Sequence, residues 1–254
     1  MSFEGWLKDL EGQVKESVRG SRAFNSFFHE VFCNNDDFIM WKKNGRDETV
    51  QINGGTLTQI APYKPETVKP AELRLRVRND WKEAYEQKVF IVLGGLSRHI
   101  FGWEHKQALA TLASKAKTYE IESDVPTRPL LNGAIDNINS EDNYADTLLV
   151  SPLQLTNLMD VKGFIPYWNF PENFVNQKGS GFIGIMGELS IYHTPALAIT
   201  EGLLYDKSQT RLRKTPLSIK FENYENPEYL EVAEKIFAWP VDDYSIARLH
   251  FLKK

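Results

Sequence analysis

Three features of this 254-residue chain could carry chemistry: a glycine-rich motif, five histidines and a single cysteine. Gly179, Gly181 and Gly184 have the G-x-G-x-x-G spacing that lets backbone amides approach a dinucleotide pyrophosphate. That role needs a strand before the motif and a helix after it, so that the helix N-terminus faces the phosphates. Segment 171–177 is not typical of a buried strand, and segment 183–188 indicates a turn or a strand. We therefore interpret the glycines as a loop that leads into a strand, and we expect no cofactor.

The histidines and the cysteine indicate no specific chemistry. The histidines are scattered along the chain, at His29, His99, His105, His193 and His250. None lies one helical turn from a second ligand, as a zinc-binding protease helix requires, so we expect no metal. Cys33 is the only cysteine, which excludes an intrachain disulfide and a multi-thiolate metal site. It could act as a nucleophile only beside a histidine that the fold brings close, and its place after Phe32 in an apolar helical pattern is more typical of core.

Composition restricts the class of protein. The chain has 30 basic and 34 acidic side chains, 42% hydrophobic residues and 25% charged residues, which excludes a disordered or collagen-like chain. The first twenty residues lack the continuous apolar stretch of a signal peptide. The longest apolar run, 89–93, is far shorter than the ~20 residues that span a bilayer. We therefore expect a cytoplasmic globular protein with no membrane partner.

The charged residues form three groups that could be contact surfaces. One is basic (Lys69, Arg74, Arg76 and Arg78), a second is basic (Lys207, Arg211, Arg213 and Lys214), and a third is acidic (Glu222, Glu225, Glu228, Glu231 and Glu234). They are either three solvated faces or complementary patches between copies of the chain, because opposite potentials fix register in an assembly. A nucleic-acid site is a third interpretation, but the net acidity and the lack of aromatic residues around Arg74 argue against it. We predict inter-subunit contacts at Arg74, Arg76, Arg78, Lys69, Glu222, Glu225, Glu228, Arg211 and Arg213.

The elements that carry these groups follow from residue periodicity. Residues 3–32 have an amphipathic helical pattern broken near Gly20, which predicts two helices or one kinked helix. Segment 57–78 is punctuated by proline and ends in strict alternation of apolar residues with arginines, which predicts an exposed, projecting hairpin arm. Segment 97–119 predicts the longest helix, capped by Ser97.

The second half is predicted to be a mixed α+β unit. We predict a helix over 128–138, a buried strand over 145–150 and a short helix over 153–158. Strands are then predicted at 181–186, 189–193, 196–200, 202–205, 215–221, 229–239 and 243–251. Six tryptophans are candidates for core or interface anchors, and the sequence does not sort them: Trp6, Trp41, Trp81, Trp103, Trp168 and Trp239.

This order of parts resembles the shell proteins of tailed phages and their relatives, which share the Hong Kong 97-type capsid fold. The resemblance is strongest in the second half. Segment 142–155 is similar to the helix, buried strand and short helix that open the axial domain of that fold, and segments 189–195 and 202–206 are similar to the steps that follow. Segment 217–254 is similar to the final strands of the peripheral domain.

The resemblance implies an α+β capsid fold with an N-terminal helical arm, an extended hairpin loop (the E-loop), a peripheral domain with a long spine helix, and an axial domain. It divides the chain into an arm at 1–44, the extended loop and flanking strands at 45–96, a peripheral domain at 97–140 and 229–254, and an axial domain at 141–228. The function it implies is structural rather than enzymatic: a subunit that assembles with itself into pentamers and hexamers of an icosahedral shell.

Two relatives share this implied fold, and they enclose different contents. Major capsid proteins enclose a viral genome, which is held without sequence specificity, whereas encapsulins form cellular nanocompartments around protein cargo. We favour the capsid of a phage, archaeal virus or provirus, assembled in the host cytoplasm. An encapsulin-type shell is the alternative, and an α+β enzyme that uses Cys33 or a histidine–carboxylate pair is a lesser one.

Overall fold

The computed structural model describes residues 2–21, 28–32, 38–45, 48–52, 55–86, 92–140, 143–179 and 181–252. The helices are α1 (Phe3–Ser21), α2 (Trp81–Glu86), α3 (Val92–Ala113), α4 (Arg128–Asn139), α5 (Gln154–Met159) and α6 (Glu172–Lys178). The strands of the first half are β1 (His29–Phe32), β2 (Ile39–Lys43), β3 (Glu48–Ile52), β4 (Gly55–Gln59), β5 (Tyr63–Thr67), β6 (Ala71–Arg78) and β7 (Lys117–Ile121). Those of the second half are β8 (Thr147–Val150), β9 (Phe164–Pro166), β10 (Phe182–Met186), β11 (Leu189–His193), β12 (Glu201–Tyr205), β13 (Thr210–Lys214), β14 (Ser218–Phe221), β15 (Tyr229–Pro240) and β16 (Ile246–Phe251).

A seven-stranded mixed sheet forms one half of the molecule, in the order β7-β16-β12-β8-β11-β10-β9. Every residue of the central strand β8 is buried, as its uninterrupted apolar run requires. One face is covered by α4, whose Leu131, Ile135 and Ile138 are at most 2% exposed and belong to the same core cluster as Leu148. The amphipathic spacing of α4 thus supplies the apolar layer that this sheet needs.

A five-stranded sheet forms the other half and is organised around the twelve-residue strand β15. On one side β15 pairs along the whole of β6, and on the other it pairs with β13 and β14, while β1 extends the sheet in parallel with β13. Helices α1 and α3 pack together, and α3 packs on β15. The core between them contains Leu7, Trp81, Ile100 and Leu230, each at most 2% exposed.

A long antiparallel hairpin extends from this second half. Strand β2 pairs with β5, and β3 pairs with β4 further along the same ribbon. The base of the hairpin is tied to the C-terminal part of the chain. The amide of Lys43 donates to the carbonyl of Val241 at 2.8 Å, and the indole N–H of Trp239 donates to the carbonyl of Trp41 at 3.3 Å. We call the segment Ile39–Thr67 the arm.

The structure confirms several predicted elements. These are the helix after Thr127, the buried strand that ends before Ser151, the short helix after it, and the strands that correspond to β10, β11, β12, β14, β15 and β16. The glycine motif leads into a strand, as expected, because β10 begins directly after Gly181.

Three predictions in the first half are wrong. Residues 29–32 are not helical, because their backbone pairs in parallel with β13. The arm is Ile39–Thr67 rather than segment 57–78, because β6 pairs over its full length with β15 and is part of the sheet. The predicted longest helix is present as α3, but its predicted bounds of 97–119 and its cap are wrong: Ser97 is 4% exposed inside it, and the residues after Ala116 form β7.

Further differences lie in the second half. Segment 196–200 forms turns instead of a strand. Strand β13 and helix α6 were not predicted. The alternation of arginine with apolar residues in β13 suits a strand that is buried on one face, but the prediction treated this segment as a charge cluster only.

Gly184 makes a contact that no other residue can make. A Cβ at this position would lie 2.4 Å from the carbonyl oxygen of Ile165 and 2.6 Å from the Phe164 ring, and its φ is +156°. We expect Gly184→Ala to push β9 away from β10 and to lower the free energy of unfolding by about 1–3 kcal/mol. Equilibrium denaturant unfolding measures this change.

Gly133 is the matched control, because a Cβ there would meet nothing within 4 Å. In the interior of α4, Gly133→Ala should raise the free energy of unfolding by about 0.5–1 kcal/mol. A Gly184→Ala protein as stable as the unaltered one would contradict the close approach of β9.

Candidate assembly surfaces

The basic stripe of β6 faces solvent, as its alternation predicts. Leu73 is 4% exposed and packs under the sheet, whereas the side chains of Arg74, Arg76 and Arg78 are 80%, 62% and 74% exposed. Alternate residues of a strand point to opposite faces, so the three guanidinium groups share the outer face of the five-stranded sheet.

The stripe meets the acidic group within the same chain. Arg76 lies opposite Glu231 in the β6–β15 register, and their side chains form an ion pair of 2.8 Å. Arg78 pairs with Glu228 at 3.2 Å, and Arg74 pairs with Glu72 at 3.2 Å. Exposed pairs of this kind contribute about 0–1 kcal/mol each. The two predicted patches are therefore brought together inside one subunit, and their role between subunits stays a prediction.

Other members of the predicted charge groups have different surroundings. Lys69, Glu222 and Glu225 are exposed, and within the described residues none of them forms an ion pair. Glu234 is 2% exposed, on the inner face of β15, so the acidic run is not one solvated surface. Lys69, Glu222 and Glu225 keep their charges available to a neighbour.

Most residues of the second basic group make contacts within their own chain. Arg213 donates to the carbonyl of Ile39 at 2.7 Å, at the base of the arm. Arg211 donates to the carbonyls of Ser208 and Thr210, and burial lowers the pKa of its guanidinium while Asp206 raises it. Lys214 is fully buried. Arg211 and Arg213 thus support segments of their own chain, and their contact with another subunit stays a prediction.

The structure sorts the tryptophans into core and surface. Trp6, Trp81 and Trp239 are at most 8% exposed. Trp41 and Trp168 are 56% and 53% exposed, which is uncommon for so large an apolar side chain. They lie at two separate places, each surrounded by other exposed apolar residues.

The first place is the outer face of the arm. Trp41 lies opposite Pro65, and Tyr63 is two residues from Pro65 on the same strand, so these side chains share one face of the β2–β5 ribbon. Tyr63 is 47% exposed, and Ile39, on the same face, is 39% exposed. We call this surface the arm face. A row of apolar side chains on a projecting ribbon is typical of a protein–protein contact.

The second place is an edge of the seven-stranded sheet. Strand β9 is the terminal strand, and it continues into a 3-10 turn that contains Tyr167 and Trp168. Their rings pack edge to face with centroids 5.1 Å apart, and Ile165 beside them is 45% exposed. An uncovered sheet edge with exposed aromatic residues is a second candidate contact.

Two of the histidines, His105 and His193, lie close enough for the charge of one to act on the other. His105 is 2% exposed, and its Nδ1 lies 2.9 Å from the hydroxyl of Thr194. The described residues contain no group of three or more histidine, cysteine, aspartate or glutamate side chains that could hold a metal ion. Cys33 lies outside the described residues. Among the helices that are described, none is both long and apolar enough to cross a membrane.

Comparisons with known proteins identify the architecture. No protein-family model matches the sequence, and no curated protein matches it. The structure is similar to the virus-like particle from Pyrococcus furiosus, with a TM-score of 0.65 and 10% identity over 96% of this chain and 99% of that one. It is similar to the capsid of the empty GTA particle, with a TM-score of 0.60 and 10% identity over 90% of this chain and 89% of that one.

A third similar structure comes from a phage. The head structure of a Helicobacter pylori bacteriophage matches with a TM-score of 0.57 and 11% identity, over 90% of each chain. These likenesses extend over almost the whole chain. The chain has the fold of phage capsid and virus-like-particle subunits, which is the Hong Kong 97-type fold that the sequence predicted.

Proposed function

We propose that the chain is a structural subunit that assembles with copies of itself into a closed icosahedral shell built from pentamers and hexamers. The observation that carries this proposal is the match to capsid and virus-like-particle chains over about nine-tenths or more of both partners. In proteins of such different sequence, the shared property is the shape of the whole subunit rather than a local site.

The exposed surfaces of the chain support self-association. The arm face and the β9 edge each present aromatic side chains that a monomer leaves in water. Burying such residues supplies most of the affinity of a protein interface. The outer face of the five-stranded sheet carries further exposed charges, such as that of Arg76, and these add polar contacts between subunits.

The shell we propose encloses a viral genome, as in a phage, archaeal virus or provirus capsid assembled in the host cytoplasm. The chain then has two partners, itself and nucleic acid bound without sequence specificity. A shell around protein cargo is the second candidate.

We also propose the division of labour among segments. Residues 1–44 form an N-terminal segment, 45–96 carry the extended loop, 97–140 with 229–254 form a peripheral domain, and 141–228 form an axial domain. The role is structural rather than enzymatic, and no cofactor or metal takes part in it.

Electron microscopy of the protein expressed alone tests the function. We expect uniform hollow polyhedral particles. Absorbance at 260 and 280 nm on the same fraction then distinguishes enclosed nucleic acid from protein cargo. A protein that stays monomeric at high concentration, both when expressed alone and when co-expressed with the products of neighbouring genes, would contradict a shell function.

A further inference from the structure

A polar pocket of about 310 Å³ opens where the N-terminal ends of the parallel strands β8 and β11 meet. Thr147 and Ser190 lie opposite each other in the register of these strands. Lys178 ends α6, and Lys207 follows β12 two residues after its last residue. Four elements that are separate in sequence therefore place polar side chains around one cavity.

The pocket holds two ammonium groups and one carboxylate, so its formal charge is positive. The Oδ1 atom of Asp146 already accepts two hydrogen bonds, from the Thr147 hydroxyl at 2.8 Å and from the backbone N–H of Lys207 at 3.0 Å. Burial lowers the pKa of Lys207; Asp146 opposes this change, and Lys178 adds to it. The two half-buried lysines thus repel each other, and an anion between them would relieve that repulsion.

The hydrogen-bond donors of the pocket are arranged for a ligand with several acceptor oxygens. The ammonium of Lys178 donates to the hydroxyl oxygen of Ser190 at 2.9 Å, which leaves the Ser190 proton to be donated. The Tyr192 hydroxyl donates to the carbonyl of Lys178 at 3.3 Å and holds the end of α6 in place. An ammonium has three protons, so Lys178 keeps two for a ligand. Lysine binds phosphate as a point charge, so two lysines and a hydroxyl suit a phosphate group.

We propose that this pocket is a binding site for a phosphate group, held by Lys178, Lys207 and the Ser190 hydroxyl. The group arrives either as inorganic phosphate or as one phosphate of a nucleic-acid backbone, and the chemistry of recognition is the same. The site is a property of the single subunit and does not depend on the shell function.

Calorimetric titration of the full chain with inorganic phosphate, at constant ionic strength, tests the site. We expect saturable binding at one site per chain. Lys178→Gln and Lys207→Gln should each weaken it by about tenfold or more, since each removes a charged hydrogen-bond donor. Lys162→Gln is the matched control, because Lys162 is exposed and lies outside the pocket. It should leave the affinity unchanged.

Two results would overturn the proposal: no saturable binding to the unaltered protein, or equal affinity in the glutamine variants. If those variants fail to fold, as judged by circular dichroism, Ser190→Ala takes their place, and undiminished affinity in that variant has the same meaning. Competition by a short oligodeoxythymidylate identifies the source. Displacement of phosphate supports a nucleic-acid backbone as the ligand, and the absence of displacement supports free phosphate.

Discussion

Trp41→Glu should abolish particle formation while the subunit stays folded. The Trp41 side chain is 56% exposed, so the change removes little of the subunit's own packing. Its only described hydrogen bond to the body is through the backbone carbonyl, which accepts from Trp239, and a new side chain leaves that bond in place. A central aromatic anchor contributes about 2 kcal/mol or more to an interface, and a carboxylate in its place would be buried without a partner.

The loss of binding free energy is repeated at every equivalent contact of a shell. We therefore expect no particles by electron microscopy and a single small species by size-exclusion chromatography. Leu130→Glu is the control. Leu130 is 41% exposed in the first turn of α4, where an acidic residue suits the helix dipole, so normal particles are expected. Normal particles from Trp41→Glu would exclude the arm face from the assembly contacts.

Acid should destabilise the subunit through His105. Burial, and then the charge of His193, lower the pKa of this imidazole from 6.5 to about 4. The Thr194 hydroxyl faces its Nδ1, the Phe101 ring lies with its centroid 4.0 Å away, and the buried Glu104 precedes it on α3. Because the folded pKa lies below the unfolded one, the neutral form is favoured in the folded protein.

The neutral His105 side chain therefore contributes fully to the free energy of unfolding above about pH 6.5. This contribution is lost as the pH falls towards 4. It amounts to about 3 kcal/mol of unfolding free energy, of which about 2 kcal/mol is lost between pH 7 and pH 5. Denaturant unfolding at the two pH values measures it. His105→Gln should remove this part of the pH dependence, whereas His99→Gln, at an exposed position, should retain it. An identical pH dependence in the His105→Gln protein would contradict the assignment.

Elements with a local apolar pattern could be predicted from the sequence. The spacing of Leu131, Ala134, Ile135 and Ile138 is enough to define α4, and the run that ends at Val150 is enough to define a buried strand. Helix α4 carries Pro129 in its first turn, which marks its beginning. These signals depend only on residues within one element.

Elements that depend on distant pairing could not be predicted. Residues 29–32 continue a helical pattern, yet they form a strand because they pair with the edge of β13. The alternation in β6 correctly indicated which face carries Arg76, but its partner Glu231 is set by a register across half the chain. Local periodicity contains no information on such pairing.

The candidate contact surfaces show the same limit. Six tryptophans look alike in the sequence, and only the fold shows that Trp81 is buried in the core while Trp41 and Trp168 remain exposed. The pocket formed by Lys178 and Lys207 had no sequence signal, because its lysines, hydroxyls and carboxylate come from four elements.

The anchoring of the arm has a consequence for synthesis. The arm is made early, but Trp239 and Val241, which hold its base, are translated much later, because Trp239 and Trp41 are 198 residues apart. Strand β6 likewise cannot pair until β15 has been translated. Such non-local contacts form late and slowly. A nascent chain that has not yet reached Trp239 therefore has no positioned arm, and under the proposed function such a chain lacks the contact surface through which it would join its neighbours.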